Sequence, residues 1–376
     1  MKIIIGADLV PTDINFDLFI KGDAEALVGK KIKEVLDSAD YRIFNLELAL
    51  TDKETPIRKA GPNIAAPTAC IAGYKALGVD LLSLSNNHML DHGYEGYVST
   101  FKTLDEAGIA HVGAGDNKEE AKKPFFFEKE GKKIGVYACC EHEFSWVEDY
   151  GFGANGFDPL ESLDDIVEAK KQCDYLIVLY HGGKEHYAYP SPHLHKVCRK
   201  IAEKGADIVL CQHTHCVGTE EDYKGCKIIY GQGNFVFARN YAHVPTWGQG
   251  FVVEVEITDD GVKYNYIPYV PTEKGLTYDE SGEILKGLAE RSKEIQKPGF
   301  IRENFDKMAM DTVIARYIQH MIKKPASEIK PEDLYIALFH FAECDVHYEC
   351  LLTGVRGLMG LGRFGEFKDL NANKKQ

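Results

Sequence analysis

Over the first 215 residues, short apolar runs rich in β-branched side chains alternate with amphipathic segments. That alternation predicts βα units around a sheet buried on both faces. Strands are expected over 2–6, 41–47, 79–85, 132–138, 175–180 and 207–210, with 125–127 pairing to 132–138 as a hairpin through Glu130-Gly131. Helices are expected over 24–38, 67–77, 94–107 (stopped by Gly108) and 192–203. Further strand patterns at 227–230, 235–237, 251–257 and 262–267, the last two joined by Asp259-Asp260-Gly261, predict a second sheet. Beyond residue 281 the period becomes helical, as in Val313, Ile314, Tyr317, Ile318 and Met321. A boundary near 275 therefore separates a 1–275 domain from a mostly helical 276–376 extension, which is either a cap on the first domain or a small separate unit. Gly354, Gly357, Gly360, Gly362 and Gly365 predict an irregular tail.

The 376 residues suit one large domain with an accessory region, or two domains. With 44% hydrophobic and 27% charged residues, the composition is that of a globular protein. A formal charge of -14 argues against a nucleic-acid or anionic-membrane binder, so an anionic substrate has to be held locally. No secretory leader and no apolar stretch approaching the roughly 18 residues of a membrane span is visible, and a cytoplasmic location is expected. The ten cysteines lack a disulfide-framework spacing and read as reduced, mostly buried thiols; a redox or metal role for adjacent Cys139-Cys140 is the alternative.

Five apolar runs end on polar motifs: Asp8, Asn45-Leu46-Glu47, Asn86-Asn87-His88, His181 and His213-Thr214-His215. Loops past the carboxyl ends of strands converge, so these residues are expected at one place. Three imidazoles, an amide oxygen and two carboxylates, without a thiolate, suit one or two divalent ions of the Mn, Zn or Fe kind. Glu47 is the candidate bridge between two ions. Singly, each motif has a structural reading. Asp8 can cap a turn, and Asn86-Asn87-His88 can form a capped turn. His213-x-His215 resists such a reading, because strand alternation crowds two imidazoles on one face. Glu185 and His186 read as groups that orient ligands or as loop polarity. His92, His193 and His195 read as surface or helix histidines, Gly231-Gln232-Gly233 as close backbone approach to the site, and Arg58 and Lys59 as solvated charge with anion contact as the alternative.

The ordered blocks Gly6-x-Asp8, Asn45-Leu46-Glu47, Ser85-Asn86-Asn87-His88-x-x-Asp91-x-Gly93, His181-Gly182-Gly183-x-Glu185, Gly205-Ala206-Asp207, His213-x-His215 and Gly233-Asn234-Phe235-Val236-Phe237 resemble the CapA (PgsA) family of poly-γ-glutamate capsule synthesis proteins, within the calcineurin-like metallophosphatase superfamily. The resemblance covers about residues 1–270. It implies an α/β fold of four layers, αββα, with a C-terminal helical extension left unassigned. It also implies that Asp8, Glu47 and His215 bind one ion and Glu47, Asn87, His181 and His213 the other, with His88 as the general acid. Asn45, Asn86, Asp91, Glu185 and Asn234 are then substrate-binding or supporting residues. Two positions depart from superfamily usage: Val10 stands where a ligand histidine is common, and Glu47 where aspartate is common. Family members are often membrane-anchored, whereas this sequence shows no anchor.

The function implied is a metal-dependent hydrolase acting on a phosphoester or a poly-γ-glutamate-type polymer, with metal-activated water as nucleophile and His88 protonating the leaving group. Two other readings stand beside it. One is a non-catalytic metal-binding scaffold that supports polymer synthesis or export, motivated by Val10. The other is a 5'-nucleotidase-like phosphatase with Trp146, Tyr150 or Phe152 as a base clamp. The expected partners are an anionic small molecule or polymer and the polymer-synthesis machinery.

Overall fold

The computed structural model describes residues 1–239, 247–313 and 331–359, the first four of the last stretch by backbone alone. Ile314, Tyr317, Ile318, Met321, Gly360, Gly362 and Gly365 lie outside the described residues.

Two mixed sheets carry the fold. In chain order their strands are β1 (Lys2–Asp8), β2 (Tyr41–Asn45), β3 (Leu81–Ser83), β4 (Ala110–Val112), β5 (Phe125–Lys129), β6 (Lys132–Cys140), β7 (Tyr175–His181), β8 (Ile208–Gln212), β9 (Glu220–Tyr223), β10 (Cys226–Ile229), β11 (Gly250–Thr258), β12 (Gly261–Pro271) and β13 (Leu276–Tyr278). The first sheet runs β13-β12-β11-β1-β2-β3-β4, and the second β9-β10-β8-β7-β6-β5. Strands β1 to β4 are parallel, as are β6, β7, β8 and β10. Both parallel sets therefore end on one edge of the molecule. The tight turns β5–β6 and β11–β12 are the two hairpins expected from Glu130-Gly131 and Asp259-Asp260-Gly261.

The layers follow from which side chains each strand buries. Ile3, Ile5, Ile43 and Leu81 face Ile134, Val136, Ile177, Leu179, Ile208 and Leu210 between the sheets. On the outer face of the first sheet, Ile4, Phe44 and Leu82 pack under α1 (Ala24–Ser38) and α2 (Gly93–Ala107) through Leu27, Ile32, Tyr97 and Leu104. Outside the second sheet, Leu176, Val178 and Val209 pack under α3 (Ser162–Lys170) and α4 (Pro192–Glu203) through Ile166, Leu194, Val197 and Ile201. These are the four αββα layers. Strands covered on both faces have no solvent side, so their sequences run apolar without alternation. Each such Ile or Leu stabilises the fold by roughly 1.5–3 kcal/mol. The start of α4 is legible in its residues: the Ser191 hydroxyl accepts from the Leu194 N–H, and Pro192 stands at the first helical position.

Past residue 275, β13 forms the edge of the first sheet, and α5 (Glu283–Glu294) sends Ile284 and Leu288 into the core between the sheets. The helix α6 (Phe300–Thr312) then packs on α8 (Asp345–Leu358) around Phe305, Ala309, Val313 and Cys350, with α7 (Pro331–Glu343) preceding α8. Two expectations are corrected here. Gly354 and Gly357 belong to α8 and not to an irregular tail. A Cβ on Gly354 would stand 2.5 Å from the Ala309 carbonyl oxygen, so this glycine marks a close helix crossing. The 235–237 segment makes no strand; the bridges at Gly233 and Asn234 tie its start to Gly250 and Asp8 instead. Among the described residues no disulfide forms, and of the ten cysteines all but Cys173 are buried. Among the described residues no helix is long and apolar enough to cross a membrane.

Candidate metal centre

Asp8 and Asn45 close β1 and β2, His181 closes β7, and the Asn86, Asn87, His213 and His215 turns follow β3 and β8, so all reach one edge. The register of β1 against β2 shifts between Ile5 and Asp8, an irregularity of the kind that re-aims a strand-end side chain at a site. Asp8 Oδ1 accepts from Asn45 Nδ2 at 2.8 Å, and Oδ2 lies 3.5 Å from His215 Nδ1. His181 Nε2 stands 3.1 Å from Asn87 Oδ1 and 3.2 Å from Glu47 Oε1. Donor atoms of Glu47, His181 and His213 lie within 4.8 Å of one another, as do those of Asp8, Glu47 and His215. The six residues expected to meet do meet, and Glu47 belongs to both groups.

His213 and His215 arrive by a different route from the one the sequence suggests. The strand stops at Gln212, and both histidines adopt left-handed backbone, φ +85° and +53°. Such conformations cost of order 1–3 kcal/mol each and persist where surrounding structure enforces them. Close approach of the Gly231 backbone, where a Cβ would meet Thr214 Oγ1 at 2.7 Å, is part of that enforcement.

Charge is confined here. Both Glu47 oxygens are buried without a hydrogen-bond partner, and so is His213 Nδ1. A buried unpaired carboxylate costs several kcal/mol unless a cation compensates it. Burial opposes the charge of Asp8, but the His215 hydrogen bond and the nearby His181 hold its pKa below the ordinary range. Burial likewise opposes the His215 imidazolium, yet Glu47, Asp8 and Glu185 push its pKa up to about 10. His213 is driven well down, by burial and then by His181. This donor set, oxygen and nitrogen with orphaned atoms pointing inward, fits a divalent cation of the Mn, Zn or Fe kind. Asp8, Glu47, Asn87, His181, His213 and His215 would hold it.

The residues expected to support the centre are in place. Asn86 Nδ2 donates to Asn45 Oδ1 and to the Leu46 carbonyl, while its Oδ1 accepts from the His88 N–H. Asn234 Oδ1 sits 2.8 Å from His215 Nδ1. His88 Nδ1 lies 2.6 Å from Asp91 Oδ2, an oxygen that also accepts from the Ile64 N–H. The other Asp91 oxygen pairs with Lys59, whose side chain is 2% exposed. Lys59 is therefore not solvated loop charge; it anchors the carboxylate that orients His88. Its Nζ is also 3.3 Å from His88 Nδ1.

Other expectations change. Glu185 comes within ligand distance of His213 and His215, and although burial opposes its charge, His213, Lys184 and His215 hold its pKa well down. Val10 points away from this edge into the helix-side core. His92 is buried, with Nδ1 accepting from the Thr55 N–H, and is not a surface histidine. His193 and His195 sit on α4, away from the centre; His195 Nε2 is 3.3 Å from Glu221. Trp146 packs on His142, and Phe152 packs on Tyr94 and Tyr97. The aromatic groups bordering His215 are Trp247, Phe237 and His186. Glu143 was missed: its Oε2 accepts from Asn87 Nδ2 at 3.0 Å, and burial, then Glu185, push its pKa up to about 7. The Cys140-Glu141-His142-Glu143 stretch follows the apolar β6 run, the same strand-then-polar signal that marked the other motifs.

Residues 15–239 match the family model for bacterial capsule synthesis protein PGA_cap. The chain is 25% identical to the capsule biosynthesis protein CapA of Bacillus anthracis over 309 residues, covering 79% of this chain and 74% of that protein. It is 28% identical to the PGA biosynthesis protein CapA of Bacillus subtilis over 219 residues, 56% of each, so it spans little more than half the length of that relative. A crystal structure of a hypothetical protein from Thermus thermophilus overlays with a TM-score of 0.44 at 15% identity, across 71% of this chain and 99% of that one. The family match takes in Glu47, Asn87, His181, His213 and His215, five of the six residues gathered above, with Asp8 lying ahead of its first residue, and it spans well over half of the sequence. The chain belongs to the bacterial PGA_cap capsule synthesis family.

Proposed function

We propose that this chain is a metal-dependent hydrolase acting on an anionic substrate, either a phosphoester or a γ-linked glutamyl polymer. The observation that carries the reading is Glu47: a fully buried carboxylate with both oxygens lacking a hydrogen bond, encircled by Asp8, His181, His213 and His215. A divalent ion bound there supplies Lewis acidity and lowers the pKa of water from about 15.7 toward 7. The chain's own residues do the rest. Asn45 and Asn234 hold Asp8 and His215 in fixed orientation. Asp91, itself fixed by Lys59 and the Ile64 N–H, orients the His88 ring through Nδ1, which leaves Nε2 as the atom placed to give a proton to the departing oxygen or nitrogen. Glu185 approaches His213 and His215 and is the candidate replacement for the ligand that Val10 does not provide.

The named Bacillus relatives are described as capsule and PGA biosynthesis proteins, which supports a polymer or its synthesis machinery as the partner. The 276–376 segment we take as an extension continuous with the core through β13 and α5.

The test is metal analysis of protein purified without chelator, followed by turnover of bis-p-nitrophenyl phosphate and of poly-γ-glutamate after Mn, Zn or Fe addition. Bound metal with turnover of either supports the proposal. Stoichiometric metal with no turnover of either moves the reading to the scaffold alternative, and absence of bound metal ends both.

A further inference from the structure

We propose that Glu143, Cys344 and His347, with His340 beside them, form a separate cation site of the zinc class, which ties the C-terminal helix pair to the loop bordering the main centre. One donor atom from each of Glu143, Cys344 and His347 lies within 4.8 Å of the others. The geometry comes from three different elements. Glu143 follows β6, His340 lies in the last turn of α7, and Cys344 caps α8 with His347 in its first turn. The Cys344-x-x-His347 spacing thus places a thiol and an imidazole at one helix start, and the preceding helix sets His340 against Glu143.

A second observation points to a ligand. His340 Nδ1 is buried without a hydrogen-bond partner, and it stands 3.7 Å from Glu143 Oε1. That distance is too long for a hydrogen bond. It matches the donor-to-donor edge of a tetrahedral site, roughly 3.3–3.8 Å for metal–ligand bonds of about 2.0–2.3 Å. The His340 and His347 rings are 4.4 Å apart at their centroids, and His340 also stacks on Phe144 at 5.0 Å. Thiol, imidazole and carboxylate together select zinc over magnesium or calcium. Charges of both signs surround the group, Glu141 and Glu185 on one side and Lys59 and Lys184 on the other. Glu143 also touches Asn87 through its other oxygen, so the site lies alongside the main centre and not within it.

Cobalt(II) titration of the metal-free protein tests this apart from any hydrolytic activity. The main centre carries no thiolate, so a thiolate-to-cobalt charge-transfer absorption reports the second site alone. The expected result is a band that saturates as cobalt is added, disappears in Cys344→Ser and needs at least tenfold more cobalt in His347→Ala. Should Cys344→Ser fail to fold, the His347→Ala shift and the wild-type band decide. Wild-type protein without the band, or full intensity retained in folded Cys344→Ser, overturns the proposal.

Discussion

His181 Nε2 lies 3.2 Å from Glu47 Oε1, yet that carboxylate makes no hydrogen bond and is fully buried. Both oxygens of Glu47 are thus open to a cation shared by the two donor groups. The carboxylate faces imidazoles, and against the effect of burial its charge helps push the His215 pKa up to about 10.

Glu47→Gln keeps the shape and removes the charge, so its effects on the two states have opposite sign. Metal affinity is expected to fall by at least the roughly 10–100-fold that loss of a supporting group costs a metal site. Stability of the chelated protein should stay level or rise, because neither carboxylate oxygen makes a hydrogen bond that the amide would lose. Equilibrium dialysis with Mn or Zn, and urea unfolding in EDTA, read the two effects. A chelated variant that is several kcal/mol weaker than wild type would contradict that account.

His88 and Lys59 separate chemistry from support. His88→Ala should leave metal content unchanged and lower kcat by about 10²–10⁴, the usual weight of a general acid. Lys59→Met leaves Asp91 buried and charged beside His88, and should cost about 3 kcal/mol of stability in urea unfolding. Its kcat loss should be smaller than that of His88→Ala, since it positions Asp91 and His88 and leaves the imidazole itself in place. Equal losses for the two would place Lys59 in contact with substrate instead.

The difference between what the residues announce and what they hide is physical. Asp8, Glu47, Asn87, His181, His213 and His215 each end an apolar run, and a strand buried on both faces leaves its first polar residue at the sheet edge. That signal needs only local sequence. Lys59 sits among Pro56, Gly61 and Pro62 in a loop whose composition resembles solvated chain, and its burial depends on Asp91, thirty-two positions away. His213 and His215 were correctly paired for the wrong reason, since left-handed backbone and not strand alternation aims them. The glycines of α8 read as loop because their role, close contact with α6, exists only in the tertiary structure.

Acid dependence of stability is expected away from the centre, at Glu221. Its side chain is 3% exposed and accepts from Arg199 at 2.9 and 2.5 Å and from the Tyr230 hydroxyl at 2.6 Å. Burial opposes its charge, but His195, Arg199 and Tyr230 hold its pKa well below the ordinary 4.5. The folded state thus binds this proton more weakly than the unfolded state, so the contribution is complete above pH 4.5 and is lost as pH falls below it. Glu221→Gln should lose about 1–3 kcal/mol at pH 7, the scale of hydrogen bonds to a charged group. The gap from wild type should narrow below pH 4.5. Urea midpoints at pH 7, 5 and 3.5 measure it, and a gap that is constant across that range would remove Glu221 as the acid-sensitive group.

Glu185 offers a test of how many ions the centre takes. Val10 packs its side chain in the helix-side core and supplies no donor atom to the centre. Glu185 instead reaches His213 and His215 from the loop after β7, and its carboxylate stays ionised among imidazoles and Lys184. If it completes the first donor group, Glu185→Gln should lower metal content by about one equivalent relative to wild type while leaving the Glu47–His181–His213 ion in place. Thermal unfolding gives an independent reading: a cation at 100 times its Kd adds about 2.7 kcal/mol to the protein that binds it. The increment from each metal addition should therefore be smaller in the variant than in wild type. Wild-type metal content retained in Glu185→Gln would show that Asp8, Glu47 and His215 suffice without it.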